Sequence, residues 1–407
     1  MSAGFLFGSK RFVRARFAAV LIAGFIPAGC SSVSLDNPFG APNPPPVPAP
    51  GPVAAPVVVR PAGPGETFGT GAVKVGLILP LTKDGAPSAI GQSLRNAAEL
   101  AAEESGAGQV TVIVQDDRST PDGAAAAAQA EIAAGAEIIV GPLYKESVRG
   151  VAQVARASGR PVIAFSTDAS VASQGVYLLS LMIESYVDRI VDYAASKGKR
   201  AIGVLAPTTD SGSVAASEFE KAATRRGLRV VTVARYTQGA PGDAVKQIAA
   251  VAGEMDALFI ADSGDSLTKT GEALTAAGVK VQLLGTGLWA DSRLLKSPSL
   301  QGAWYAAAQN EGYLSFQQKY RAKYKSDPIR LATLSYDALN LVVALARTQG
   351  QLRYSEKVLT NSSGFAGADG LFRFRSDGPS ERGLAVMQIE GGAASIVSAA
   401  PRSFPPS

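Results

Sequence analysis

From Val73 onward the chain repeats one pattern. A short apolar run is followed by a polar loop, then by a segment whose apolar positions recur at helical spacing. Val73-Lys-Val-Gly-Leu-Ile-Leu79, Val110-Thr-Val-Ile-Val114, Ile138-Ile-Val140 and Pro161-Val-Ile-Ala-Phe165 are the first four runs. Between the first two, Ala89–Glu103 sets Ile90, Leu94, Ala97, Ala98 and Ala101 on one helical face. The Ala-rich segment from Pro121 to Ala134 predicts a helix, with Asp122 favourable in its first turn. The alternation resumes with helices over Ser185–Lys197, Val214–Arg226 and Asp243–Gly253. Strands fall at Ala201–Ala206, Val230–Val233, Ala257–Ala261, Val281–Gly285 and Trp304–Ala308. Uniformly apolar strands separated by helices predict a parallel sheet covered on both faces. About nine such strands exceed one comfortable open sheet, so the expected architecture is α/β, with two doubly wound lobes.

In such sheets ligands bind beyond the carboxyl ends of the strands. The loops there are polar where the strands are not: Pro80–Gly85, Gly141–Ser147, Ser166–Ser170, Pro207–Gly212, Asp262–Ser266 and Thr286–Asp291. Hydroxyls, helix N-termini and a few charges suit a small polar ligand. Chosen by loop position, the candidate cleft residues are Thr82, Tyr144, Lys145, Ser166, Asp168, Asp210 and Trp289. The same Ser, Thr and Asp residues also read as caps of the helices that follow.

Catalytic chemistry finds little support. The chain has no His, which removes a Ser-His-Asp triad, a Cys-His pair and imidazole zinc ligands. Its single Cys excludes an internal disulfide and a thiolate metal cluster. Ser266-Leu-Thr-Lys269 and Lys269-Thr-Gly271 match two motifs of penicillin-binding enzymes, but those enzymes place the motifs on facing elements, and here both share Lys269. Asp116-Asp117 could suggest a metal, yet adjacent carboxylates at a strand end point to opposite sides and are expected to be solvated. No catalytic residue, metal or cofactor is therefore expected.

The first thirty residues hold Lys10, Arg11, Arg14 and Arg16 and no acid, then the apolar stretch Phe17–Ile26 and Pro27-Ala-Gly-Cys30. Ten apolar residues are too few to span a bilayer, and the layout is that of a signal peptide over residues 1–29. Without its four charges the chain carries 35 basic against 34 acidic residues, which leaves no basic footprint for nucleic acid. Small residues before the only Cys resemble the lipobox of bacterial lipoproteins, with Pro27 where Leu is usual. The resemblance implies lipidation of Cys30, and Ser31 after it points to the outer membrane. Residues 31–72 carry eleven Pro and read as an extended spacer outside the fold, so that membrane contact is through the anchor only.

Val73–Glu103, with its Pro-Leu turn and Gly91-Gln-Ser-x-x-Asn-x-x-Glu-Leu-Ala101 helix, resembles the leucine/isoleucine/valine-binding protein family. Phe365–Phe374, with Asp377-Gly378 following, is similar to the same family. The resemblance implies two lobes hinged by three crossings, about 73–182 with 309–352 and about 183–308 with 353–400, within a domain of 73–400. Gly141–Val148, Val162–Asp168 and Gly175–Leu179 look like the periplasmic domain of penicillin-binding protein activators, outer-membrane lipoproteins of Gram-negative bacteria. Receptors of the wider family hold a ligand's carboxylate and ammonium with a Ser and a Thr; Lys145 and Asp168 stand at the approximately matching positions. They would clamp a zwitterion or pair with each other. The resemblance thus implies a non-enzymatic lipoprotein in the periplasm that engages a peptidoglycan synthase. The alternative is a solute receptor feeding an ABC permease with branched-chain amino acids or related small polar ligands.

Overall fold

The computed structural model describes residues 65–404 apart from Ala107. The expected signal peptide, Cys30 and nearly all of the Pro-rich stretch lie outside the described residues. Two sheets carry the fold. The first runs in the order Thr67–Phe68, Val110–Asp116, Val73–Leu79, Ile138–Val140, Val162–Ala164, Val176–Leu178. All its pairings are parallel except that of Thr67–Phe68, which closes one edge antiparallel. The second runs Arg229–Tyr236, Ala201–Pro207, Ala257–Ile260, Gln282–Gly285, Trp304–Ala307, Ala385–Glu390, Ala393–Ser398. Its first five strands are parallel, and the last two add an antiparallel hairpin that the reading of the apolar runs does not anticipate. The parallel strands of both lobes share one order, second-first-third-fourth-fifth, whose reversal beside the first strand opens a crevice at the carboxyl edge.

The local reasons are legible. Thr120 caps the Pro121–Ala133 helix by accepting from the Gly123 amide at 3.0 Å, Pro121 occupies the first turn, and Asp122 adds favourable charge. Gly141 has φ +85°, and a Cβ there would lie 2.0 Å from the Ile78 carbonyl, so only glycine lets this loop pass the strand end. Central strand residues such as Leu77, Val112, Val140 and Ile163 are fully buried, each worth about 1.5–3 kcal/mol of transfer free energy. In the second lobe Phe219 and Phe259 stack at 4.4 Å across the helix–sheet interface.

The chain passes between lobes after Val176–Leu178, after Trp304–Ala307 and after Ser380–Arg382. The second passage delivers two helices to the first lobe, Asn310–Tyr324 and Ala332–Thr348. Phe316 and Tyr320 pack with Ala97 and Leu100, while Leu339 and Val342 join the first core. The expected grouping of 353–400 with the second lobe needs correction. Leu359, Phe372 and Phe374 sit in the first lobe's core, and Gln174 donates to Glu356 at 2.8 Å. A three-stranded antiparallel sheet, Phe365–Gly367, Gly370–Phe374 and Ser380–Arg382, precedes the last passage.

Candidate functional site

On the first lobe the carboxyl edge gathers Lys145, Ser166 and Asp168. Tyr144 is half-buried and precedes the Lys145–Ala157 helix in extended conformation, so Lys145 stands in the first turn, where a cation opposes the helix dipole. Lys145 Nζ lies 3.5 Å from Asp168 Oδ2, both groups being partly exposed. Asp168 also accepts from the Ser170 amide at 3.0 Å, and its own amide donates to the buried Ser166 hydroxyl at 3.1 Å. The Ser170 hydroxyl and amide, with a smaller pull from Lys145, hold the Asp168 carboxyl below its ordinary range. Of the two arrangements open to this pair, the structure adopts mutual pairing.

Thr82 is occupied differently. Its hydroxyl and amide both donate to Asp116, and Ser119 donates to its carbonyl at 2.9 Å, which ties down the Thr82–Lys83 and Ala86–Pro87 hairpin. Asp117 corrects the expectation of a solvated pair. It is fully buried, and burial pushes its carboxyl up to about 6, against the Ser119 amide and the Ser147 hydroxyl.

On the second lobe Asp210 is exposed in the first turn of Asp210–Arg225, capped by Thr209, which accepts from Gly212 at 3.1 Å. Trp289 does not line a cleft. It is fully buried, its indole Nε1–H donates to the Asp262 carbonyl at 3.0 Å, and its ring fills the space that Gly285 leaves. The residue missed is its neighbour Leu288, which is 61% exposed on the same turn. Val214 and Leu314, also exposed, lie on the helices that follow two other strands of this edge. The Asp262–Ser266 loop is closed upon itself: Tyr236 and Ser266 both donate to Asp262, and Gly239 donates to Ser266 at 2.9 Å. Ser266 is therefore held by structural bonds on both sides. A cavity of about 510 Å³ lies at the opposite, amino edge of this sheet, lined by Lys199, Asp256, Thr275, Lys280, Gln282 and Gln301 among others.

A buried polar cluster lies where the passages meet. Asp369 accepts from Arg330 at 2.6 and 3.0 Å and from Thr333 at 2.6 Å. Burial works against its charge, but the Arg330 bonds and charge, aided by Arg382 and Thr333, keep its carboxyl below the ordinary range. Arg382 donates through Nε to the Ser180 carbonyl at 3.0 Å, while its amide reaches the Ser185 hydroxyl at 3.3 Å. Asp337 accepts from the Ala368 amide at 2.7 Å. These charges are far apart in sequence, and no local spacing announces them.

Several solved structures share the fold. A protein of Rhodospirillum rubrum assigned to branched-chain amino acid ABC transport is 20% identical, with a TM-score of 0.71 over 80% of this chain and 100% of that one. A leucine-binding protein of Thermotoga maritima is 20% identical with a TM-score of 0.55, covering 81% of this chain and 99% of its own. A solute-binding protein from R. palustris, in complex with benzoate, is 21% identical with a TM-score of 0.55, covering 83% and 98%. No curated protein matches the chain. Two of these neighbours are described as binding proteins. The family described as periplasmic binding protein, which implies a periplasmic or other extracytoplasmic location, matches residues 72–394, and the chain belongs to it.

Proposed function

We propose that this chain is the solute receptor of an ABC importer, taking a small ligand that joins a charged head to an apolar body. The observation that carries this reading is the partly exposed Lys145–Asp168 pair at the carboxyl edge of one lobe, with exposed Leu288 at the corresponding edge of the other. A mutually neutralised pair opens without loss when a zwitterion takes both halves, carboxylate on Lys145 and ammonium on Asp168. The apolar side chain then covers Leu288, at about 25 cal/mol per Å² buried. The leucine-binding protein of T. maritima and the benzoate complex of the R. palustris protein agree with such a ligand. Calorimetric titration of branched-chain amino acids and aromatic carboxylates should give at least one micromolar ligand, and Lys145→Ala should weaken it at least tenfold. A silent panel would end the receptor reading.

The second reading, an activator of a peptidoglycan synthase, draws on the same ion pair. Lys145 and Asp168 already satisfy each other, as they would in a cleft that has lost its solute. Lipidation at Cys30, an outer-membrane anchor and a Pro-rich spacer belong to this proposal. Crosslinking in cells separates the two, because permease subunits and wall synthases are recovered under opposite hypotheses. Mass spectrometry of the mature N-terminus tests the anchor on its own.

A further inference from the structure

After its last strand the chain crosses between the lobes once more. Ala393–Ser398 forms the edge of the second sheet, and its end is held to that lobe by Arg189 of the Ile183–Ser196 helix. Arg189 donates through Nη2 to the Ser398 hydroxyl at 2.7 Å and to the Ala399 carbonyl at 3.2 Å, and through Nε to the Leu384 carbonyl at 2.7 Å. Pro401 then lies along the third passage, against Gly383, where a Cβ would meet the proline ring at 3.2 Å. Phe404 reaches the first lobe. Its ring covers Gly364, where a Cβ would lie 2.9 Å from it, and the Arg373 guanidinium stands 4.6 Å from the ring centre. Arg373 is fixed in turn by Glu381 at 2.7 Å and by the Ser362 carbonyl at 3.2 Å, so the seat of the ring belongs to the small antiparallel sheet.

We propose that residues 399–404 are a strap across the hinge, which restrains rotation of the lobes and releases at Phe404. Its two ends are unequal. The Arg189 end is made of charge-assisted hydrogen bonds to two consecutive residues. The Phe404 end is a half-buried ring against a glycine and a cation, a contact that needs no directional bond and reforms readily. Between them the chain has little freedom. Five extended residues reach at most about 18 Å, and the fixed φ of Pro401 narrows the paths open to them. A rotation that carries Gly364 far from Arg189 therefore pulls the ring off its seat before it stretches the chain. Release also returns apolar ring surface to water, which opposes it. The strap acts whatever the cleft binds, because none of its contacts involves Lys145, Asp168 or Leu288.

The test uses the full chain with Cys30→Ser and nitroxide labels on Gln153→Cys and Ser217→Cys, exposed positions on helices of different lobes. Double electron–electron resonance reads the distance between them without solute. The parent should give one narrow distance distribution. Phe404→Ala, and a chain ended after Ala400, should each lose it for a broader one, and Phe404→Trp should keep the parent's. Circular dichroism confirms that every variant is folded. A distribution that matches the parent's in either Phe404→Ala or the shortened chain overturns the strap, and neither result bears on whether a solute binds.

Discussion

Glu131 lies on the inner face of the Pro121–Ala133 helix, fully buried beneath the central strand. Neither carboxyl oxygen has a formed hydrogen bond, and the carboxyl fits only because Gly76 has no side chain: a Cβ there would lie 1.9 Å from Oε2. Burial raises its pKa well above 4.5, opposed only by the Leu77 amide. The sign follows from linkage. Above pH 4.5 the unfolded chain releases this proton while the native state retains it, so rising pH favours unfolding by about 1.4 kcal/mol per unit once the difference is complete. From pH 5 to pH 7 the penalty grows for as long as the buried carboxyl keeps its proton. Glu131→Gln keeps the shape and removes the titration. Urea unfolding at pH 5, 6 and 7 should show the variant gaining on the parent as the pH rises, by no more than about 1.4 kcal/mol per unit. Other buried acids titrate in both proteins and cancel. Parallel stability profiles would refute the claim that this carboxyl is protonated in the fold.

Gly76→Ala should destabilise by roughly 2–4 kcal/mol, and Glu131→Ala should suppress most of that cost, a coupling that a double-mutant cycle in urea reads directly. Asp369→Asn strands Arg330 and Thr333 and should lower stability by about 3–5 kcal/mol in the same assay. Lys145→Ala and Asp168→Ala break a partly exposed pair and should each change stability by less than about 1 kcal/mol, while altering solute titrations. Trp289→Phe loses the bond to the Asp262 carbonyl and should cost about 1–3 kcal/mol without changing solute affinity.

The strands were readable because burial on both faces demands continuous apolar runs. Val73–Leu79 and Ile138–Val140 are found where those runs lie. The resemblance grouped 309–352 with 73–182, but the helices Asn310–Tyr324 and Ala332–Thr348 were not read as elements, since nothing local distinguishes a helix that returns to the first lobe from one that continues the second. The hairpin over Ala385–Ser398 has one largely exposed strand and so lacks the apolar run that marks the others. Trp289 and Leu288 show the limit for sites. Loop position pointed to this turn, but the short helical turn Gly287–Trp289 sends the indole inward and the leucine outward, and Gly285 is the local hint of where the ring goes. Arg330 and Asp369 carry no local signal either, because one lies ahead of the Ala332–Thr348 helix and the other in the turn between two strands of the small sheet.

Two ion pairs in this protein divide their labour by burial. Lys145–Asp168 is screened by water, so forming it adds little stability and exchanging it for a ligand costs little, which suits a contact that must open and close. Arg330–Asp369 couples a fully buried carboxylate to a bidentate donor with a hydroxyl in support. Breaking it leaves an uncompensated charge, which suits a joint that must not yield.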